Sequence, residues 1–271
     1  MAKNSAKNSA KKAAVSPAAS DRQAKIDAAA KANKPGPNKI LIGTVVALVA
    51  IIAVVAGVII ADQSNRSGDS ASANSAVPSG ASGMGAGFVA NQQVTLVEGA
   101  PTLDIYEDFR CPACHQAYAV FNDTVTQLAA DGKVQLVYHF KTVIDSNSGG
   151  DASLKAASSS MCAAAVGKFD EYHEAVFGGV ISSGGQQPNW GPGHFTAKAE
   201  EAGITGTDLE TFNQCVADGI YDEYIRSVDE QSVRDGITGT PVYQLNGERL
   251  DLGQVNSPAA LITAVENATG A

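Results

Sequence analysis

Cys111-Pro112-Ala113-Cys114 falls where a strand-like run, residues 102–109 (TLDIYEDF), gives way to a helix-like one, Pro112–Ala130. No other feature limits the fold as much. Two cysteines at that spacing suit a redox dithiol, because free N–H groups and the helix dipole stabilise a thiolate at a helix start. Pro112 fits the first helical turn, where its missing N–H costs nothing. Cys111 then holds the N-cap position, with Ala113 and Cys114 offering N–H groups to its sulfur. Cys114 lies further in, placed to attack a mixed disulfide formed at Cys111.

The surroundings read as an α/β unit. Residues 94–97 form a short strand and 99–101 a turn. In 102–109, Leu103 and Ile105 share a face. The helix sets Ala117, Val120, Phe121, Val125 and Leu128 on one side and stops at Asp131-Gly132. Residues 134–140 (VQLVYHF) are a second strand, so strand, helix and strand make a crossover unit with a parallel pair. Residues 151–236 are helical almost throughout, broken by the Gly/Pro-rich 178–193. Asn246-Gly247 joins two short strands, 241–245 and 248–252, as a hairpin. A last helix, Pro258–Ala268, follows.

Charge and hydropathy divide the remainder. Residues 1–39 carry nine Lys/Arg against Asp21 and Asp27 and have no apolar face, the composition of a disordered tail. Residues 40–61 (ILIGTVVALVAIIAVVAGVIIA) are 22 residues without a charge, long enough to span a bilayer and longer than the apolar part of a cleaved signal peptide. Lys31, Lys34 and Lys39 before this span, against Arg66 after it, place the N-terminus in the cytoplasm. The reading is a single-pass signal anchor in the cell membrane with everything beyond it extracytoplasmic, where disulfides persist. Residues 62–87, rich in Ser, Ala, Gly and Asn, are a flexible tether. The apolar span that follows the basic tail argues against reading that tail as a nucleic-acid arm.

Residues 106–114 (YEDFRCPAC), followed far downstream by Thr238-Gly239-Thr240-Pro241-Val242 and Asn246-Gly247, resemble the DsbA-type branch of the thioredoxin superfamily, nearest its membrane-anchored actinobacterial members. The resemblance covers about residues 88–270. It implies a thioredoxin fold with a large helical insertion at about 151–236 and thiol–disulfide oxidoreductase activity with no cofactor. It makes Cys111 and Cys114 the catalytic pair. Pro241 is then cis and beside them, and Thr240 offers its backbone to an extended substrate. The implied partners are exported proteins with free thiols and a membrane reoxidant of the DsbB or VKOR type. The slot between the cysteines, often His in the family, is Ala113, and the usual site of a buried acid is Ile105. Asp104, Glu107 and Asp108 lie near, and spacing does not choose among them as a proton relay. Pro112, Ala113, His115, Asp108 and Glu107 are the residues that can tune the dithiol.

Cys162 and Cys215 lie on apolar helical faces that can share a small core. Some actinobacterial relatives carry a comparable extra pair, so a structural disulfide is expected, with two free buried thiols as the alternative. Both are singletons and make poor partners for a four-ligand metal site with Cys111 and Cys114. No metal is expected, although a metal-binding module on the same fold is one rival function. A reductase or isomerase, for example in cytochrome c maturation, is the other. His139, His173, His194 and Trp190 read as structural.

Overall fold

The computed structural model describes residues 76–182, 190 and 192–270. The basic tail, the apolar span and most of the tether lie outside the described residues. Among the described residues no helix is long and apolar enough to cross a membrane.

β2 (Thr102–Glu107) and β3 (Gln135–Phe140) run parallel, Leu103 opposite Leu136 and Ile105 opposite Tyr138. Between them runs α1 (Pro112–Ala130), on the bounds read from the sequence. Gly132 ends it with φ of +68°, and a Cβ there would collide with the carbonyl oxygen of Thr95. Of its expected apolar face, Ala117, Phe121, Val125 and Leu128 are buried, but Val120 is 42% exposed, off the side that meets the sheet.

β4 (Val242–Leu245) pairs antiparallel with β2 and, through the Asn246-Gly247 turn, with the short β5 (Glu248–Arg249). Both turn residues have positive φ, +50° and +80°, as a two-residue hairpin of this kind requires. α8 (Pro258–Ala268) is capped by Ser257, whose hydroxyl accepts from Ala260 N–H, and packs against α1.

Two expectations near the N-terminal side are corrected. Residues 94–97 are not a strand: Val94 closes a turn onto Asn91, and Val97 N–H is tied to Gly132. The strand is β1 (Phe88–Val89), antiparallel to β3, giving the sheet order β1-β3-β2-β4-β5. The tether does not reach residue 87 either. Gly85 N–H donates to Ser227 Oγ, the Tyr224 hydroxyl donates to Ala86 O, and Val89 N–H donates to Gly80 O. Gly87 lies so close to Val137 and His139 that a Cβ would overlap both. Low hydropathy suggested slack chain here, whereas small residues are what lets this backbone press onto its neighbours.

The helical insertion begins earlier than the expected residue 151, with α2 (Val143–Ser148), and continues with α3 (Ala152–Ala165), α4 (Phe169–Ser182), α5 (Pro192–Glu201), α6 (Gly206–Asp218) and α7 (Asp222–Arg234). Its centre is α3, where Ala156 to Ala163 are all buried. Small side chains there let α4, α6 and α7 approach closely. Ser159 and Ser160 return their hydroxyls to Ala156 O, and the Tyr172 hydroxyl donates to Ser159 Oγ, whereas the buried Ser158 hydroxyl has no hydrogen-bond partner among the described residues. Cys162 and Cys215 are joined in a disulfide that ties α3 to α6, with Cα atoms 5.8 Å apart. The insertion is fastened to the sheet by Lys141, whose buried ammonium meets Asp229 of α7 at 2.5 Å. The same carboxylate accepts from the Thr142 hydroxyl.

Candidate active site

The dithiol sits where β2 ends. Four residues after the end of the strand, Cys111 N–H closes a turn onto Asp108 O, and α1 starts immediately with Pro112 as its first residue. Cys111 and Cys114 are free thiols, 7% and 2% exposed, whereas Pro112 and Ala113 between them face solvent. From the far end of the chain comes the loop before β4. The Thr240–Pro241 peptide is cis, and Cys111 Sγ lies 3.6 Å from Thr240 O. The four residues expected at the reaction centre are therefore in one place.

The two thiols are unlike. The Cys111 thiol is lowered to about 5, chiefly by a hydrogen bond from Cys114. Burial works against that shift, and Thr240 assists it. The Ala113 and Cys114 N–H groups add the smallest share. The helix start is thus not the main cause, and the Cys111 sulfur makes no capping bond of good geometry. Cys114 is pushed the other way, first by burial and then by Cys111. Such asymmetry suits a pair in which one sulfur attacks or is attacked and the other stays protonated until it resolves.

The tuning candidates separate by position. His115 is buried, with Nε2 2.6 Å from Phe109 O; a carbonyl can only accept, so Nε2 carries the proton. Burial lowers its pKa and keeps it neutral at pH 7. Asp108 is wholly buried and accepts from Arg110 N–H and Ile144 N–H. Burial nonetheless raises it to about 6, exceeding the effect of those bonds. Arg110 itself is paired with Asp145 at 2.6 Å, which pins the loop to α2.

Glu107 is buried and meets His173 of α4, Oε1 to Nε2 at 2.5 Å. Asp104 pairs with His139, beside Tyr106, on the opposite face of β2 from Leu103, Ile105 and Glu107. Sequence reasoning placed His173 among structural residues and did not connect it to Glu107. One signal was available: Phe169, His173 and Phe177 recur every four residues on a single helical stripe, so a titratable ring lies inside an aromatic face.

Among the described residues no cluster of three or more His, Cys, Asp or Glu is placed to hold a metal ion. Beside Pro241 a groove of about 410 Å³ is lined by Val242, Arg249, Leu250, Asp251 and Leu252.

The comparisons agree with this geometry. A family model described as thioredoxin matches residues 97–266. The DsbA structure of Mycobacterium tuberculosis, in oxidised form, is 26% identical, with a TM-score of 0.52 over 66% of this chain and 90% of that one. The same organism's disulfide bond oxidoreductase DsbG is 25% identical, with a TM-score of 0.52 over 66% and 85%. The MdbA thiol-disulfide oxidoreductase of Actinomyces oris shares the fold at 23% identity, with a TM-score of 0.54 over 64% and 83%. No curated protein sequence matches significantly.

Proposed function

The chain belongs to the thioredoxin family as a DsbA-like thiol–disulfide oxidoreductase, and from that premise we propose that it is tethered to the membrane and introduces disulfides into exported proteins. In the oxidised enzyme a substrate thiolate attacks Cys111 Sγ. The Cys111–Cys114 bond breaks, its electron pair stays on Cys114, and Cys114 takes up a proton. The substrate's second thiolate then attacks the mixed disulfide and leaves with a new disulfide, releasing Cys111 as thiolate. Two electrons have passed from substrate to enzyme. A membrane partner of the DsbB or VKOR type takes them on, and the tether raises that partner's effective concentration.

One observation carries the direction of the reaction: the depressed Cys111 thiol beside a protonated Cys114. A thiol at about 5 is thiolate at pH 7, which stabilises the reduced enzyme by roughly 2–3 kcal/mol relative to a free thiol. A stabilised reduced form makes the disulfide a better oxidant. The family's usual histidine is absent at Ala113, and the hydrogen bond from Cys114, the largest influence on Cys111, supplies stabilisation instead. Anchoring is supported by the uncharged run 40–61 with Lys31, Lys34 and Lys39 on its N-terminal side.

Equilibration with glutathione redox buffers tests the direction. A potential above that of the glutathione couple supports an oxidant. One well below it points to the reductase or isomerase reading. Fractionation of cells, with protease added from outside, tests the tether.

A further inference from the structure

Two ties hold Cys111 from its N-terminal side. Arg110 N–H donates to Asp108 Oδ1 at 2.8 Å, and Cys111 N–H donates to Asp108 O at 2.9 Å. A third comes from beyond the dithiol. His115 follows Cys114 directly, and its Nε2–H donates at 2.6 Å to the carbonyl of Phe109, two residues before Cys111. Its backbone N–H donates to Cys111 O at 3.2 Å. Residues 109–115 are thereby closed into a ring that contains both cysteines. The start of α1 has little else of its own to fix it: Cys111 holds the N-cap position without a side-chain capping bond, and the first turn carries no acidic residue.

Packing alone does not explain a histidine here. His115 is 4% exposed, and its second nitrogen, Nδ1, is buried without a hydrogen-bond partner among the described residues. An apolar side chain of similar size would fill the same space without stranding an acceptor. What it could not supply is a donor for Phe109, which is wholly buried and whose carbonyl needs one inside the protein. The imidazole is aimed by α4. Phe177 meets it edge-on, with centroids 5.4 Å apart and planes at 82°, and Phe177 also lies 4.8 Å from the ring of Phe109. Both ends of the bond therefore rest on one side chain of the helical insertion.

We propose that His115 is a positioning residue for the dithiol: through Phe109 O it fixes the backbone of Cys111 against α1 and so keeps the two thiols in hydrogen-bonding register. The proposal rests on the thiol–disulfide reading. Cys114 is the third residue of α1, and its hydrogen bond to Cys111 is the largest influence that makes Cys111 acidic. That bond reaches back across the first turn, so it depends on where the N-cap backbone lies. Releasing Phe109 O loosens Cys111 on its N-terminal side, weakens the bond between the thiols and leaves more of Cys111 protonated. His115 acts as a donor and not as a charge, because burial lowers its pKa and keeps the ring neutral at pH 7.

The test compares His115→Gln, whose amide N–H can stand where Nε2–H stood, with His115→Leu, which fills the space without a donor. All measurements use the full chain in detergent micelles. In His115→Leu the alkylation rate of Cys111 at pH 5, taken relative to its own high-pH plateau, should fall roughly fivefold or more. The equilibrium constant for oxidising glutathione at pH 7 should fall by a similar factor, because a less stabilised thiolate makes a weaker oxidant. In His115→Gln both values should stay within about twofold of wild type. A purely structural role would lower stability without moving either. His115→Met, also without a donor, replaces His115→Leu if the latter fails to fold. In wild type carrying nitrogen-15-labelled histidine, NMR should show His115 protonated at Nε2. Protonation at Nδ1 alone, unchanged values in the variant without a donor, or equal loss in that variant and His115→Gln would overturn the proposal while leaving the exchange activity intact. A wild-type chain that does not exchange with glutathione would remove the function and the proposal together.

Discussion

Cys111 Sγ lies 3.6 Å from the backbone oxygen of Thr240, a residue 129 positions away in sequence. That contact joins the two halves of the thioredoxin core at the dithiol. It sets the Cys111 sulfur against the backbone that precedes the cis-proline.

The hydrogen bond from Cys114 is the largest influence lowering the Cys111 thiol. Iodoacetamide alkylation of the reduced protein should therefore modify Cys111 first, with an apparent pKa near 5. In Cys114→Ala that value should climb toward the free-thiol figure of about 8.5. An unchanged value in Cys114→Ala would assign the shift to the helix start instead. Faster alkylation of Cys114 would reverse the roles of the two sulfurs.

The Cys162–Cys215 disulfide should resist mild reductant that keeps Cys111 and Cys114 reduced, because Cys162 is wholly buried. Thiol blocking and mass spectrometry of that form should show two modified cysteines. Its separation of 53 residues corresponds to about 4 kcal/mol of stabilisation in the chain-entropy model. Cys162→Ala/Cys215→Ala should lower urea stability by that order while retaining exchange activity. Four modified cysteines without denaturant would contradict this.

Asp108 gives stability a pH dependence of unusual sign for a carboxylate. Its pKa is about 6 in the folded chain and about 3.9 when unfolded, so folding favours the protonated form. The extra stability is complete below pH 4 and is lost as pH rises through 6, a change on the order of 2–3 kcal/mol. Urea titrations of wild type minus Asp108→Asn should show this slope between pH 4 and 7. A difference that is flat, or that rises with pH, would show the carboxylate to be held ionised.

Much of this was legible before any coordinates. Pro112 marks a helix start and Asp131-Gly132 a stop, so both ends of α1 can be read locally. Asn246-Gly247 likewise declares its hairpin. What stayed hidden depended on distant partners. Glu107 and His173 are 66 residues apart, and no local pattern pairs them. Residues 76–87 look like linker because Gly and Ser dominate, yet those small residues permit their close packing on β3 and α7. Residues 94–97 have strand composition, but the edge of β3 at Tyr138 and Val137 is occupied by Phe88 and Val89. Val120 shows the limit of helical periodicity, which allows a face wider than the sheet covers.

The central claim is that Cys111 and Cys114 pass a disulfide to a protein substrate. It is tested most directly by mixing the oxidised full chain with an equal amount of an unfolded, reduced two-cysteine protein and counting thiols on both by mass spectrometry. The account predicts one new disulfide in the substrate for each Cys111–Cys114 pair reduced, with Cys162–Cys215 intact and no transfer by Cys111→Ser. Transfer that persists in Cys111→Ser, or substrate left reduced beside a fully oxidised enzyme, would contradict it.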